Sequence, residues 1–168
     1  MGVHKESGRN YLRFGVMCSG DAFQAWQAQA IRELLSHGHK CELLIIDGNP
    51  GEKLSILKKL RKYPYTQLVF RQYTNRCFRP GSKKMISLRN ELSGIPAVHC
   101  QTISKTYSQF FLPSDIETIK AYNLDFILRF GFNIIRGEIL EAAKYGIWSY
   151  HHDDEQKYRG GPPGFWEI

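Results

Sequence analysis

No apolar run in the 168-residue chain approaches the roughly 20 residues that a membrane-spanning helix needs. Residues 1–10 are polar and lack the apolar core of a signal peptide, so neither secretion nor a membrane partner is expected. The four cysteines, Cys18, Cys41, Cys77 and Cys100, form no CxxC pair. A zinc knuckle and a thioredoxin-type redox motif are therefore not written here, and free thiols in a reducing cytoplasm are expected. G-x-G-x-x-G and P-loop spacings are also missing, which disfavours dinucleotide and nucleoside triphosphate chemistry. There are no internal repeats and no low-complexity tracts.

Acidic residues are absent from one long stretch. Residues 53–90 hold eleven Lys and Arg and no Asp or Glu, while the rest of the chain holds twelve basic and sixteen acidic residues. One 38-residue stretch thus carries the whole +7 excess. It also contains Tyr63, Tyr65, Phe70, Tyr73 and Phe78. Basic residues interleaved with aromatics suit a phosphate backbone with stacked bases. They equally suit a solvated basic lobe or insertion, and nucleic acid is the less favoured partner.

What remains is an ordinary composition, 42% hydrophobic and 23% charged, with a clear alternation of elements. Residues 11–19 (YLRFGVMCS) read as a buried strand, and Gly20-Asp21 punctuates it, with Asp21 as a helix cap. Residues 22–36 place Phe23, Trp26, Ala30, Ile31, Leu34 and Leu35 at helical spacing. Residues 41–47 (CELLIID) are a second buried strand. Strand, helix and strand in this order predict a parallel sheet. Residues 83–92 are expected to be helical, and 95–100 a weak strand because of Pro96. A capping box at Ser114-Asp115-Ile116-Glu117 opens a helix to about residue 122. Residues 124–130 (LDFILRF) are the third strong strand. A turn and a helix follow over 134–144, with Leu140 and Ala143 facing in. Residues 146–150 (GIWSY) are the fourth strand. The expected architecture is an open, doubly wound, mainly parallel α/β sheet whose core includes Val16, Leu44, Ile45, Ile127 and Ile147. An N-terminal arm, 1–10, precedes one domain, 11–168. The final Phe165-Trp166-Glu167-Ile168 reads as the first turn of an amphipathic helix, so a C-terminal part of the domain is expected beyond it.

Ligands of open α/β sheets sit beyond the carboxyl ends of the strands. That places Gly20 and Asp21, the turn Phe130-Gly131-Phe132-Asn133-Ile134-Ile135, and His151 along one rim. Gly131 permits close approach of a ligand to the backbone, and apolar residues on both sides suit a flat ring; an ordinary strand-to-helix turn has the same composition. Period 2 puts Ser149 and His151 on one side of the last strand and Tyr150 on the other. His151 suits general acid–base work near neutral pH. A metal cluster of His151, His152, Asp153 and Asp154 is disfavoured, because adjacent residues in a strand or tight turn point apart; a polar loop is the plain alternative. The segment Lys157 to Gly164, with Tyr158, Arg159 and Gly160, is an irregular loop suited either to holding an anion or to packing over the sheet edge.

Taken in order, these segments resemble the formyltransferase-fold family, which includes methionyl-tRNA formyltransferase, glycinamide ribonucleotide formyltransferase and the sugar-nucleotide N-formyltransferases. The resemblance runs from Phe14 to Ile168 and is poorest over the basic stretch. In that family a strand like 124–130 is followed by a glycine turn that binds the pterin, a helix, a strand ending in Asn-x-His, and a loop ending x-Arg-Gly. The resemblance implies a Rossmann-like formyltransferase fold and transfer of a formyl group from 10-formyltetrahydrofolate to an amine; the one-sign charge of residues 53–90 makes a phosphate-bearing acceptor the motivated guess. The resemblance assigns Gly131 to Ile135 to the pterin, His151 to the oxyanion and proton transfer, and Tyr158-Arg159-Gly160 to the substrate loop. Two departures stand out. Ser149 occupies the family's Asn position, and the family's Asp falls beyond Ile168. A 10-formyltetrahydrofolate hydrolase and a catalytically silent binding domain are the alternatives.

Overall fold

The computed structural model describes residues 9–49, 69, 72–73, 81–105 and 108–150. Most of the basic stretch and everything from His151 onward, including His152, Tyr158, Arg159 and Gly160, lie outside the described residues. Val69, Gln72 and Tyr73 are helical.

The first strand, β1 (Arg13–Cys18), is central. It pairs in parallel with β3 (Lys40–Asp47) on one side and with β8 (Phe126–Arg129) on the other. Beyond β3 lies β5 (Ala97–Cys100), and beyond β8 lies β10 (Ile147–Ser149), both parallel. The five-stranded order is therefore β10-β8-β1-β3-β5. The chain steps outward from β1 through β3 to β5, then returns to the other side of β1 for β8 and β10.

A parallel sheet must be covered on both faces, which explains its continuous apolar runs. On one face Phe14, Val16, Leu44, Phe126 and Leu128 pack with Ala28 and Ile31 of α1 (Ala25–Ser36). On the other, Met17, Leu43, Ile45 and Ile127 pack with Ile116 and Ile119 of α2 (Pro113–Lys120) and with Ile139 of a 3-10 turn, Glu138–Glu141. Each fully buried side chain of this kind contributes about 1.5–3 kcal/mol by leaving water. The expected parallel α/β sheet is thus present. Val16, Leu44, Ile45 and Ile127 are core residues, while Ile147 on the outer strand is half-buried.

Two smaller sheets depart from the sequence expectations. Residues 22–24 form β2 (Ala22–Gln24) rather than the start of a helix, and pair antiparallel with β4 (Met85–Ser87). That pairing is why 83–92 is not helical: Ile86 and Leu88 gain burial against the α1 side of the core, and the Leu88 amide donates to Asp21 O at 3.0 Å. The cap of α1 is Gln24, whose amide donates to Gln27 Oε1 at 2.9 Å. Asp21 instead pairs with Arg89, Nε to Oδ2 3.0 Å. Likewise α2 starts one residue before Ser114, with Leu112 as cap and Pro113 in the first turn; the Asp115 carboxylate accepts the Gln101 amide at 3.0 Å.

The third sheet joins β6 (Thr102–Lys105), β7 (Ser108–Phe111) and β9 (Ile134–Arg136). Ile134 therefore begins a strand parallel to β7, not a turn into a helix. After Gly137, at φ 89°, the helical part shrinks to the 3-10 turn. Ile139 and Ala142 face the core, whereas Leu140 is exposed.

Candidate functional site

The direction of winding reverses between β1 and β8. In open α/β sheets this is where adjacent strand ends diverge and leave a crevice. The loop after β1 contains Gly20, at φ 140°, and Asp21. The loop after β8 is the turn Phe130 to Asn133, which carries the chain across to β9. Both the Phe130 and the Gly131 amides donate to Met17 O, at 2.9 and 3.0 Å, so the turn is pinned to the end of β1.

Its residues then divide between the two faces of the sheet. Phe130 belongs to the α1 face. It meets Trp26 edge-on at 5.4 Å and stacks on Tyr150 at 6.1 Å between ring centroids. Phe132 belongs to the other face and packs on Phe111, at 5.0 Å. The two phenyl rings therefore do not grip a ligand between them. Phe132 holds φ 66°, an uncommon region for a bulky side chain; such strain concentrates at functional turns. Ile135 is buried in the core.

Two polar side chains brace the turn. Arg129 ends β8, and its Nη1 donates to Asn133 O at 2.7 Å while its Nη2 donates to Ser149 Oγ at 2.8 Å. From the third sheet, Gln109 Oε1 accepts the Asn133 amide at 2.6 Å. Ser149 is thereby tied to the Gly131 turn across β8 and β10, while Tyr150 lies on the opposite face. Gly20 and Asp21 lie on the adjoining loop, and Asp21 is turned to Arg89.

A cleft of about 470 Å³ opens beside this turn, lined by Phe132, Asn133 and Ile134, by Arg129 and Gln109, and by Ser104, Lys105 and Ser108. Its size falls in the range of small-molecule sites. A larger hollow of about 850 Å³ lies at the opposite end of the strands, where Leu124, Asp125 and Gly146 lead into β8 and β10. That amino end is not where sheets of this type take ligands, so the smaller cleft is the better candidate. Cys18 sits at the end of β1 but is buried, and burial, reinforced by the nearby Asp21 charge, pushes its thiol up from the ordinary value. Burial thus disfavours the thiolate, although a backbone hydrogen bond at Gly20 works the other way. Among the described residues no cluster of His, Cys, Asp and Glu is arranged to hold a metal ion.

Arg129 and Gln109 were not singled out from the sequence. For Arg129 a signal existed: in LDFILRF it is a charged residue at a position that period 2 assigns to a buried face. Gln109, in SQFF, carried no comparable mark, because its role depends on a strand pairing between distant segments.

The fold defines a class, an α/β protein with a parallel five-stranded central sheet, and a cleft opens beside the turn after β8. No family model matches the chain, and no curated protein matches it.

Proposed function

We propose that the chain is a formyltransferase-like domain that moves a formyl group from 10-formyltetrahydrofolate to an amine. One observation carries this reading. The turn that the family resemblance assigns to the pterin and the strand end that it assigns to the catalytic amide are joined at one rim by Arg129. The neighbouring cleft has room for a flat ring, and Asn133 and Gln109 offer polar edges. The Gly131 and Asn133 amides are already engaged, so side chains carry more of the recognition than a backbone-only turn would require.

In the reaction, a neutral amine attacks the formyl carbon and the carbonyl electron pair moves to oxygen. Collapse breaks the bond to the donor nitrogen, which takes the proton that the amine loses. His151 donates a hydrogen bond to the oxyanion and relays that proton. Ser149, shorter than the family's Asn, accepts a hydrogen bond from Arg129. That engagement favours the silent binding domain as the second reading. The basic stretch, residues 53–90, draws a phosphate-bearing acceptor by its charge.

The test is an assay of tetrahydrofolate release from 10-formyltetrahydrofolate, with and without a panel of amines. Release that requires an amine supports transfer, and release without one supports the hydrolase. Saturable binding of a stable folate analogue without release supports the silent domain. Absence of both binding and release removes folate from the function.

A further inference from the structure

Two polar groups beside the cleft are incompletely matched among the described residues. Arg129 is half-buried. Its two terminal nitrogens meet a carbonyl and a hydroxyl, both neutral, and among the described residues no carboxylate pairs with it. A partly desolvated guanidinium is best matched by a counter-charge.

Gln109 is the second. It is 5% exposed. The Asn133 amide can only donate, so the group facing it at 2.6 Å must be the Gln109 oxygen. The Gln109 nitrogen points elsewhere, and among the described residues no acceptor meets its two N–H bonds. Buried donors in native structures are nearly always satisfied by protein, water or ligand.

The lining of the cleft agrees with both. Ser104 faces Gln109 across the β6–β7 pair, and Ser108 and Lys105 line the cleft from the end of the same hairpin. The Lys105 ammonium rests over the Phe110 ring at 4.8 Å. Among the described residues the lining holds two cations and no Asp or Glu. Every group named, apart from the hydroxyls, which both donate and accept, asks for an acceptor.

We propose that this cleft binds a small molecule through an oxyanion, a carboxylate or a phosphate, taken up by the Gln109 amide nitrogen and the Arg129 guanidinium, while Lys105, whose ammonium lies over Phe110 on the other face of the hairpin, adds positive charge at the rim. Formyl transfer is not a premise of this inference: a chain that transfers nothing still shows it, and a formyltransferase without it still transfers.

The experiment follows the side-chain amide signal of Gln109 and the guanidinium signal of Arg129 by nuclear magnetic resonance in the full chain. The probes are benzoate, phenyl phosphate and neutral benzamide at constant ionic strength. Benzoate, phenyl phosphate or both shift these signals saturably, and benzamide binds at least about tenfold more weakly, as expected for losing a charge-assisted hydrogen bond. The stronger of the two anions identifies the oxyanion. Gln109→Glu, which keeps the oxygen facing Asn133 and removes the donor, weakens binding by a similar factor. If that variant does not fold, Lys105→Glu at an exposed position carries the same expectation. Equal binding of benzoate and benzamide, shifts confined to other residues, or unchanged affinity in Lys105→Glu overturns the proposal.

Discussion

Gly131 lies directly against the backbone of Cys18: a Cβ built on the glycine sits 3.2 Å from the Cys18 carbonyl carbon and 3.3 Å from its Cα. The neighbour is main chain in the central strand, so it yields less readily than a side chain. A side chain at this position makes Cys18 shift by a few tenths of an ångström. Gly131→Ala is expected to destabilise the fold by about 1–3 kcal/mol, the usual range for overpacking a tight site. Urea unfolding of the variant against the parent measures it, and an unchanged midpoint shows that the two loops part without strain.

Asp125 is the counterpart at the amino end of the strands. It is 7% exposed, and its Oδ2 accepts the Arg13 amide at 2.7 Å, fastening the start of β1 to the start of β8. Asp125→Ala strands a buried donor and should destabilise by about 1–3 kcal/mol. Asp125→Asn retains an acceptor and should lose less. Equal losses in the two variants, read from denaturant midpoints, count against the bond.

The buried thiols give a pH dependence. Burial pushes Cys41 up from 9.0 to about 12, and Cys100 likewise to about 12. A folded value above the unfolded one means that the folded state holds its proton longer. The contribution is fully present below pH 9 and is lost as the pH rises towards 12, because only the unfolded chain ionises. The stability difference between the parent and Cys41→Ala should therefore shrink across that window. A difference that stays constant from pH 8 to pH 11, measured by chemical denaturation, would show that the thiol is not held neutral by the fold.

If transfer is detected, His151→Ala should lower its rate by about a hundred- to a thousandfold, the range for losing an oxyanion donor. His152→Ala should lower it less, since the family resemblance assigns the oxyanion to His151 alone. Equal effects on the rate would take His151 out of the chemistry. Where folate binds without transfer, Ser149→Asn is the variant expected to restore it.

The sheet was legible because its strands are buried on two faces and read as unbroken apolar runs: RFGVMC, KCELLIID and FILR need no partner to be recognised. The strands of the two smaller sheets were not. Ala22–Gln24 and Met85–Ser87 are three residues each, too few for a period to show, and they exist because they find each other. The same applies at the candidate site. Gly131 and Ser149 stood out by residue type and position, but Gln109 gains its role only once β7 lies beside β9. Leu140 shows the reverse failure: a helical period assumed over 134–144 turned it inward, and the 3-10 geometry buries Ile139 instead.

The central position of β1 has a consequence for synthesis. Phe14 pairs with Phe126, so one side of the innermost strand has no hydrogen-bonding partner until β8 has left the ribosome. At about 5–20 residues per second the wait is roughly 6 to 20 seconds. The β8 edge of β1 is therefore the last to close: even where β3 (Lys40–Asp47) has already paired with β1, that edge stays open until Phe126–Arg129 is made.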